Sequence, residues 1–367
     1  MKTHSHFKRF AFFAAAALAL CLHAQTHAEK KPARVAKERK LSAEEVRLVK
    51  EAEGIDARAV ELYKRGNYSE AERAWRAELV VYERVLGAEH PDTLTCRSDL
   101  SNAFWAQGRN AEAEKEHRAV LAIRERVLGA EHPDTLASRD NLATVLRDQS
   151  RNAEAEKEHR AVLAIRERVL GAEHPDTLAS RNNLAIALQV QGKDAEAEKE
   201  HHAVLAIRER VLGAEHPDTL GSRSNLAAIL QSRGKTAEAE KEFRAVLEIR
   251  RRVLGEEHPD TLGSRNNLAG TLGEQGKTAE EEQEHRTVLT IRERVLGQDH
   301  PKIFQSCYNL AFCLALEGKF KEALAFAQRA EAGRVKVLGP EHPNTRNTNR
   351  LRELIEAELK KQRSGGK

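Results

Sequence analysis

The stretch Leu170-Gly171-Ala172-Glu173-His174-Pro175-Asp176-Thr177 returns, almost letter for letter, every 42 residues. His-Pro pairs fall at His90-Pro91, His132-Pro133, His174-Pro175, His216-Pro217, His258-Pro259, His300-Pro301 and His342-Pro343, so seven of the nine prolines occupy one repeated corner. Between corners the text also recurs, and Glu173 to Ala214 differs from Glu131 to Ala172 at only nine of 42 places. A period this long and regular belongs to a stack of like supersecondary units rather than to one closed core.

Within a unit, Leu178, Arg181, Leu184, Ala185 and Leu188 follow at steps of three and four. Gly192-Lys193 interrupts, and Ala197, His201, Val204, Leu205, Arg208 and Val211 resume the step. Each unit therefore reads as two amphipathic helices. Pro175 suits a first helical position and Asp176 complements the helix dipole, while Gly192 and Gly213 end the two helices. A degenerate amino-terminal pair, Leu41 to Tyr63 and Ser69 to Leu86 about Gly66, and a polar helix from Asn344 to Lys361 read as the end caps that a stack requires. The chain is thus expected to be all-α, with seven antiparallel helix pairs over residues 41–343 and a capping helix and flexible tail over 344–367.

Composition agrees: 40% hydrophobic and 32% charged residues with only 4% aromatics can bury a core of Ala, Leu, Val and Ile. The formal charge is +4, and the first 24 residues carry Lys2, Lys8 and Arg9 and no acid. The near-neutral remainder gives no electrostatic case for nucleic acid. Residues 1–24 read as a secretory signal, with a basic start and an apolar run, Phe10 to Leu22, too short to span a bilayer. Soluble export to the periplasm or beyond is favoured over a lipid anchor at Cys21, because Leu20 precedes that cysteine. Residues 25–40 read as a disordered basic leader. Cys96, Cys307 and Cys313 are expected to be free thiols, mostly buried.

Asn183-Leu184-Ala185 to Leu188, the Gln191-Gly192-Lys193 turn and the small Ala197 resemble a tetratricopeptide repeat (TPR). The longer unit, with its Leu170 to Thr177 connector, is similar to the arrays of kinesin light chains and related bacterial repeat proteins. The resemblance covers roughly Glu44 to Thr345 and implies a right-handed α-solenoid whose first helices line a concave wall. There are departures. Arg97, Arg139, Arg181, Arg223 and Arg265 stand where the family packs an apolar residue, so each is expected to snorkel to a neighbouring Glu. His117, His159, His201 and His285 replace an aromatic that Trp75 and Phe243 retain, and Glu281 replaces a small Ala.

The copies differ from one another unevenly. Ala111 to Ala130 and Ala153 to Ala172 are identical, whereas the first helices diverge at Asp140/Asn182, Thr144/Ile186, Val145/Ala187, Arg147/Gln189 and Asp148/Val190. A fixed scaffold with a varied inner wall is a binding pattern. In peptide-binding TPR domains the Asn before Leu-Ala pairs with a ligand backbone, and the resemblance carries that role to Asn141, Asn183, Asn225, Asn267 and Asn309, with Asp99 at the same place in the first full unit. Trp105, Tyr308 and Phe312 are candidate aromatic anchors, and Ala228, Gly270 and Gly273 leave room between them. Asp99, Asp140, Asp148 and Glu274 outnumber Arg147 on this wall, which favours a neutral or basic partner segment.

Chemistry is absent from the reading. No phosphate loop, nucleophile elbow or Cys-x-x-Cys pair occurs, so no catalytic residue, metal ligand or cofactor is assigned. The corner histidines recur one per repeat, too far apart to converge on one ion. The sequence points to a non-catalytic protein-binding scaffold, with a self-associating spacer of the cell envelope as the alternative.

Overall fold

The structure, a computed structural model, describes residues 40–364. The signal sequence and nearly all of the basic leader read from the sequence lie outside the described residues, as does the end of the carboxyl-terminal tail. Fifteen helices and no strand occur among the described residues. The degenerate pair is α1 (Ala43–Lys64) and α2 (Tyr68–Val85). Then come α3 (Pro91–Ala106), α4 (Asn110–Leu128), α5 (Pro133–Asp148), α6 (Asn152–Leu170), α7 (Pro175–Val190) and α8 (Asp194–Leu212). The rest are α9 (Pro217–Ser232), α10 (Thr236–Leu254), α11 (Pro259–Glu274), α12 (Thr278–Leu296), α13 (Pro301–Leu316), α14 (Phe320–Leu338) and the closing α15 (Pro343–Ser364).

Of the described residues, those up to Ala187 form one compact unit and those from Leu188 form the other. In the first, each helix from α1 to α6 packs on the next; in the second, the same holds from α8 to α15. First helices also meet first helices, as α9 does α11. This is an all-α repeat architecture, in which each pair can cover its apolar face only with its neighbours.

The corner that sets the period is a helix cap. In all seven copies the histidine before the proline accepts, through Nδ1, the backbone N–H two residues on: Asp92 to His90, Asp134 to His132, Asp176 to His174, Asp218 to His216 and Asp260 to His258 at 3.2 Å, and Lys302 to His300 and Asn344 to His342 at 3.1 Å. The proline fills the first helical position, where a missing N–H costs nothing. Gly213 closes α8 at φ 89°, a left-handed conformation that a side chain would resist.

A second device staples one pair to the next. Arg124, Arg166, Arg208, Arg250, Arg292 and Arg334 each donate from Nη1 to the carbonyl ten residues on, at 3.0–3.4 Å, and to the Ser or Thr hydroxyl fourteen residues on, at 2.5–2.9 Å. The sequence marked Arg208 only as part of a helical period. The first-helix arginines behave as expected. Arg97 reaches Glu116 at 2.7 Å, Arg223 reaches Glu242 at 2.7 Å, and Arg265 reaches Glu284 at 2.6 Å and Glu256 at 2.8 Å. Arg139 meets Glu125 at 2.5 Å and Glu158 at 3.2 Å, and Arg181 meets Glu167 at 2.5 Å.

The caps close the stack. Leu351, Ile355 and Leu359 bury one face of α15 against a cluster that includes Phe304, Leu310 and Leu314, while Arg352 pairs with Glu331 at 2.6 Å and Glu356 at 2.8 Å. In α1, Ala52 and Ala59 are buried and the exposed face is polar except for Val46 and the small Ala43, Gly54 and Ala57. Cys96, Cys307 and Cys313 are free and buried.

Candidate functional site

The five asparagines identified from the sequence, and Asp99 in their place on the first full unit, occupy one register of the repeat on the first helices. Asp99, Asn141 and Asn183 lie on α3, α5 and α7 in the first unit; Asn225, Asn267 and Asn309 lie on α9, α11 and α13 in the second. Asn267 is exposed and the others are half-buried. Among the described residues, no side-chain hydrogen bond engages Asn141, Asn183 or Asn267. Asn309 differs, since its Oδ1 accepts from Gln305 Nε2 at 2.7 Å within α13.

The aromatic residues do not share one environment. Trp105 is half-buried on α3, and its Nε1–H donates to Asp148 Oδ2 on α5 at 2.8 Å. Tyr308 turns inward instead: it is 9% exposed, sits in the carboxyl-terminal core, and has the Arg334 guanidinium 4.8 Å from its ring centroid. Phe312 is partly buried against the same core. Gly273 does not leave room, because a Cβ there would lie 2.5 Å from Glu281 Oε2. The carboxylate that replaces the usual Ala has filled that space. Nothing lies within 4 Å of the corresponding point at Gly270.

The charges sort in the same way. Asp140, expected on the open wall, faces α6, where it meets His159 Nδ1 at 3.1 Å and Arg166 Nη1 at 2.8 Å. Asp148 remains near the surface, bonded also to Arg147 at 3.0 Å, and Glu274 is exposed. Burial pushes the Asp99 carboxyl up to about 7; Asp56 adds to the rise, and Arg124 and Asn102 oppose it. Burial likewise raises Glu78, on α2, to about 8, with Asp56 contributing.

The second-helix histidines are core residues. His117 and His201 are 1% and 0% exposed, with no hydrogen-bond partner on either ring nitrogen, and burial lowers both to about 4. Burial does the same to His285. They stand in the column that Trp75 and Phe243 fill with rings.

Acids on the second helices pair both within their own helix and with the next pair. Glu114 binds Arg118 of its own helix at 2.9 Å and Arg151 of the next pair at 2.7 Å; Glu240 likewise binds Arg244 at 2.9 Å and Lys277 at 2.7 Å. Their side chains are only 17% and 14% exposed, so this surface is committed to holding repeats together. An open depression of about 540 Å³ lies beside Glu282, Arg286 and Thr290 on α12. Among the described residues no three His, Cys, Asp or Glu side chains converge as a metal site, and no helix is long and apolar enough to cross a membrane.

Comparison with known proteins agrees with this architecture. One tetratricopeptide-repeat profile matches residues 52–92, 93–134, 135–176 and 177–218, and a second matches 220–294 and 266–334. The chain belongs to the tetratricopeptide repeat family, whose repeats mediate protein–protein contacts and typically form non-catalytic scaffolds. A solved chain of nearly identical TPR-like repeats from a Podosopora anserina kinesin light chain is 33% identical, with 56% of this chain and 98% of that chain covered and a TM-score of 0.46. BtubC (BKLC) from P. vanneervenii is 22% identical, with 64% of this chain and 91% of that chain covered and a TM-score of 0.47. A tetratricopeptide repeat protein from Parabacteroides merdae ATCC 43184 shares the fold at 15% identity, with 83% and 98% covered and a TM-score of 0.52. No curated protein matches the chain.

Proposed function

We propose that the protein is an exported scaffold that grips an extended or helical segment of a partner protein along its first helices, in the cell envelope or outside it. The observation that carries this reading is the division of labour between helices. Second-helix acids are tied into ion pairs between repeats, whereas Asn141, Asn183 and Asn267 on the first helices present unengaged carboxamides in one register. A carboxamide donates and accepts at once, so such a row suits a peptide backbone regardless of its sequence. The bias toward a neutral or basic segment now rests on Asp99, Asp148 and Glu274, since Asp140 is neutralised internally.

The polar outer faces of α1 and α15 weigh against end-to-end stacking as a spacer. The test is affinity capture from envelope and secreted extract with the parent chain and with an Asn183→Ala, Asn225→Ala, Asn267→Ala variant. A protein held by the parent and lost by the folded variant supports the groove. Equal retention by both overturns it.

A further inference from the structure

One helix pair carries an acid where the other six carry a methyl group. Glu281 of α12 stands in the column of Ala71, Ala113, Ala155, Ala197, Ala239 and Ala323, each of which is wholly buried. Glu281 is itself only 5% exposed, and its Oε2 has no hydrogen-bond partner. Among the described residues no lysine or arginine pairs with it. The basic group beside it is the His285 ring, whose Nε2 lies 3.8 Å from Oε1, beyond hydrogen-bond reach.

The surrounding groups do not hold this side chain as a carboxylate. His285 is buried on the same helix, and burial lowers it to about 4, with Arg292 adding, so the ring stays neutral in neutral solution. From α13 come the Cys313 thiol, a weak donor, and the like charge of Glu317, which Lys319 holds at 2.6 Å. Burial raises Glu281 to about 7, with Cys313 opposing and Glu317 adding. A buried carboxylate without a cation is costly, so once its proton passes to solvent the group is driven toward water.

The way out is built into α11. Residue 273 belongs to the column of Trp105, Arg147, Gln189 and Gln231, half-buried residues of the first helices. At Gly273 no side chain stands, and the Glu281 carboxyl lies where a Cβ would be, with Oε2 2.5 Å from that point. Gly273 is half-buried, and nothing lies within 4 Å of the Cβ point of Gly270 one turn before it. The carboxyl therefore rests against a part of α11 that reaches water.

We propose that Glu281 is a pH-operated plug: as the neutral acid it fills the Gly273 notch of α11, and as the carboxylate it leaves through that notch to stand in water on the first-helix face. Ionisation then adds a second negative charge next to Glu274 and opens the notch. The effect on a partner rests on the first helices being the partner surface; the movement itself belongs to the free chain, so its test reads the free chain and is independent of the groove.

The test is carboxyl labelling of the full chain with a water-soluble carbodiimide and glycine ethyl ester, read residue by residue by mass spectrometry and normalised to the exposed Glu353. Labelling of Glu281 relative to Glu353 rises about tenfold or more from about pH 5.5 to about pH 8. Gly273→Ala, which puts a methyl group where the carboxyl lies, leaves Glu281 labelled at both pH values and abolishes the rise. Glu317→Gln removes a like charge without touching the notch, so the rise begins at lower pH. The parent titration and Glu317→Gln decide the question even where Gly273→Ala fails to fold. Equal labelling of Glu281 and Glu353 at about pH 5.5, or protection of Glu281 that persists at about pH 8, overturns the plug. So does a rise matched by amide exchange that quickens throughout α12 and α13 beyond its intrinsic pH dependence, since the helix pair would then be opening rather than one side chain.

Discussion

The indole N–H of Trp105 on α3 donates to Asp148 on α5 at 2.8 Å, joining two successive first helices on the face assigned to the partner. This bond fixes a half-buried aromatic ring with a carboxylate that is itself 33% exposed. Asp148→Ala frees the indole without emptying the core, so the cost is at most about 1 kcal/mol. Tryptophan fluorescence anisotropy falls as the Trp105 ring gains motion. A melting loss well above that bound would show that Asp148 holds the repeat interface rather than the ring.

The arginine staple is the stronger device. Arg292 is 6% exposed, and its Nη1 bonds the Lys302 carbonyl at 3.2 Å and the Ser306 hydroxyl at 2.8 Å. Arg292→Met removes both bonds while filling most of the volume, and relief of the buried charge offsets part of the loss. The net cost is about 2 kcal/mol, below that of breaking a buried ion pair, because no carboxylate is orphaned. Hydrogen exchange quickens first at the amino end of α13. Uniform acceleration along the whole chain would argue against a local staple.

The sequence shows the helix pairs, their corners and the Arg–Glu pairing because all three recur with the period, and periodicity fixes which residues share a face. It does not show which way a polar side chain leans once there. Asp140 was legible as a first-helix residue, but its turn toward α6 depends on Arg166, 26 residues later. Tyr308 turns inward because Arg334 lies over its ring, and Gly273 is filled because Glu281 replaced an Ala on the facing helix. The histidine cap was hidden for another reason: histidine is not among the usual capping residues, and only the backbone geometry reveals its ring nitrogen as the acceptor.

Ser150 gives a simple test of the turn between helices. It has φ 64° in α5's closing turn, where the other full repeats place glycine. Ser150→Gly relieves left-handed strain of about 1 kcal/mol, less the extra entropy that glycine gives the unfolded chain. A rise in melting temperature is expected. No change, or a fall, would mean that the serine side chain compensates for its backbone.

Stability should pass through a maximum in mildly acidic solution, because two kinds of buried group pull in opposite directions. His201 ionises near 6.5 when unfolded and at about 4 when folded, so the unfolded chain takes up the proton first and stability falls as pH drops through that window. Glu281 runs the other way. Burial raises it from 4.5 to about 7, with Glu317 adding and Cys313 opposing, so the folded chain holds a proton the unfolded chain has lost and stability falls as pH rises across that range. Each group contributes on the order of 3 kcal/mol at the far end of its window. The two windows overlap between about pH 4.5 and 6.5, where their slopes cancel, so His201→Phe, the residue that α10 carries as Phe243, leaves stability falling as pH rises through that range and Glu281→Gln leaves it rising. Denaturant titrations across pH check both; a parallel shift of the whole curve in either variant would contradict the assignment.

Gly273 and Glu281 form a pair of compensating departures, and their coupling can be measured. The other six pairs carry Ala at the place of Glu281, while the residue at the place of Gly273 ranges from Ala315 to Trp105. A Cβ on residue 273 would meet Glu281 Oε2 at 2.5 Å, Cδ at 2.6 Å and Oε1 at 2.8 Å, so Gly273→Ala drives the buried carboxyl out of its place. Alanine favours a helix interior by about 1 kcal/mol over glycine, so a destabilising Gly273→Ala must reflect contact rather than propensity. In the Glu281→Ala background the same change meets open space and stabilises by roughly that amount. The double-mutant cycle therefore yields a coupling of about 2 kcal/mol or more with a change of sign. Additive effects would mean that Glu281 points elsewhere in solution and that the space at Gly273 stays open to a partner.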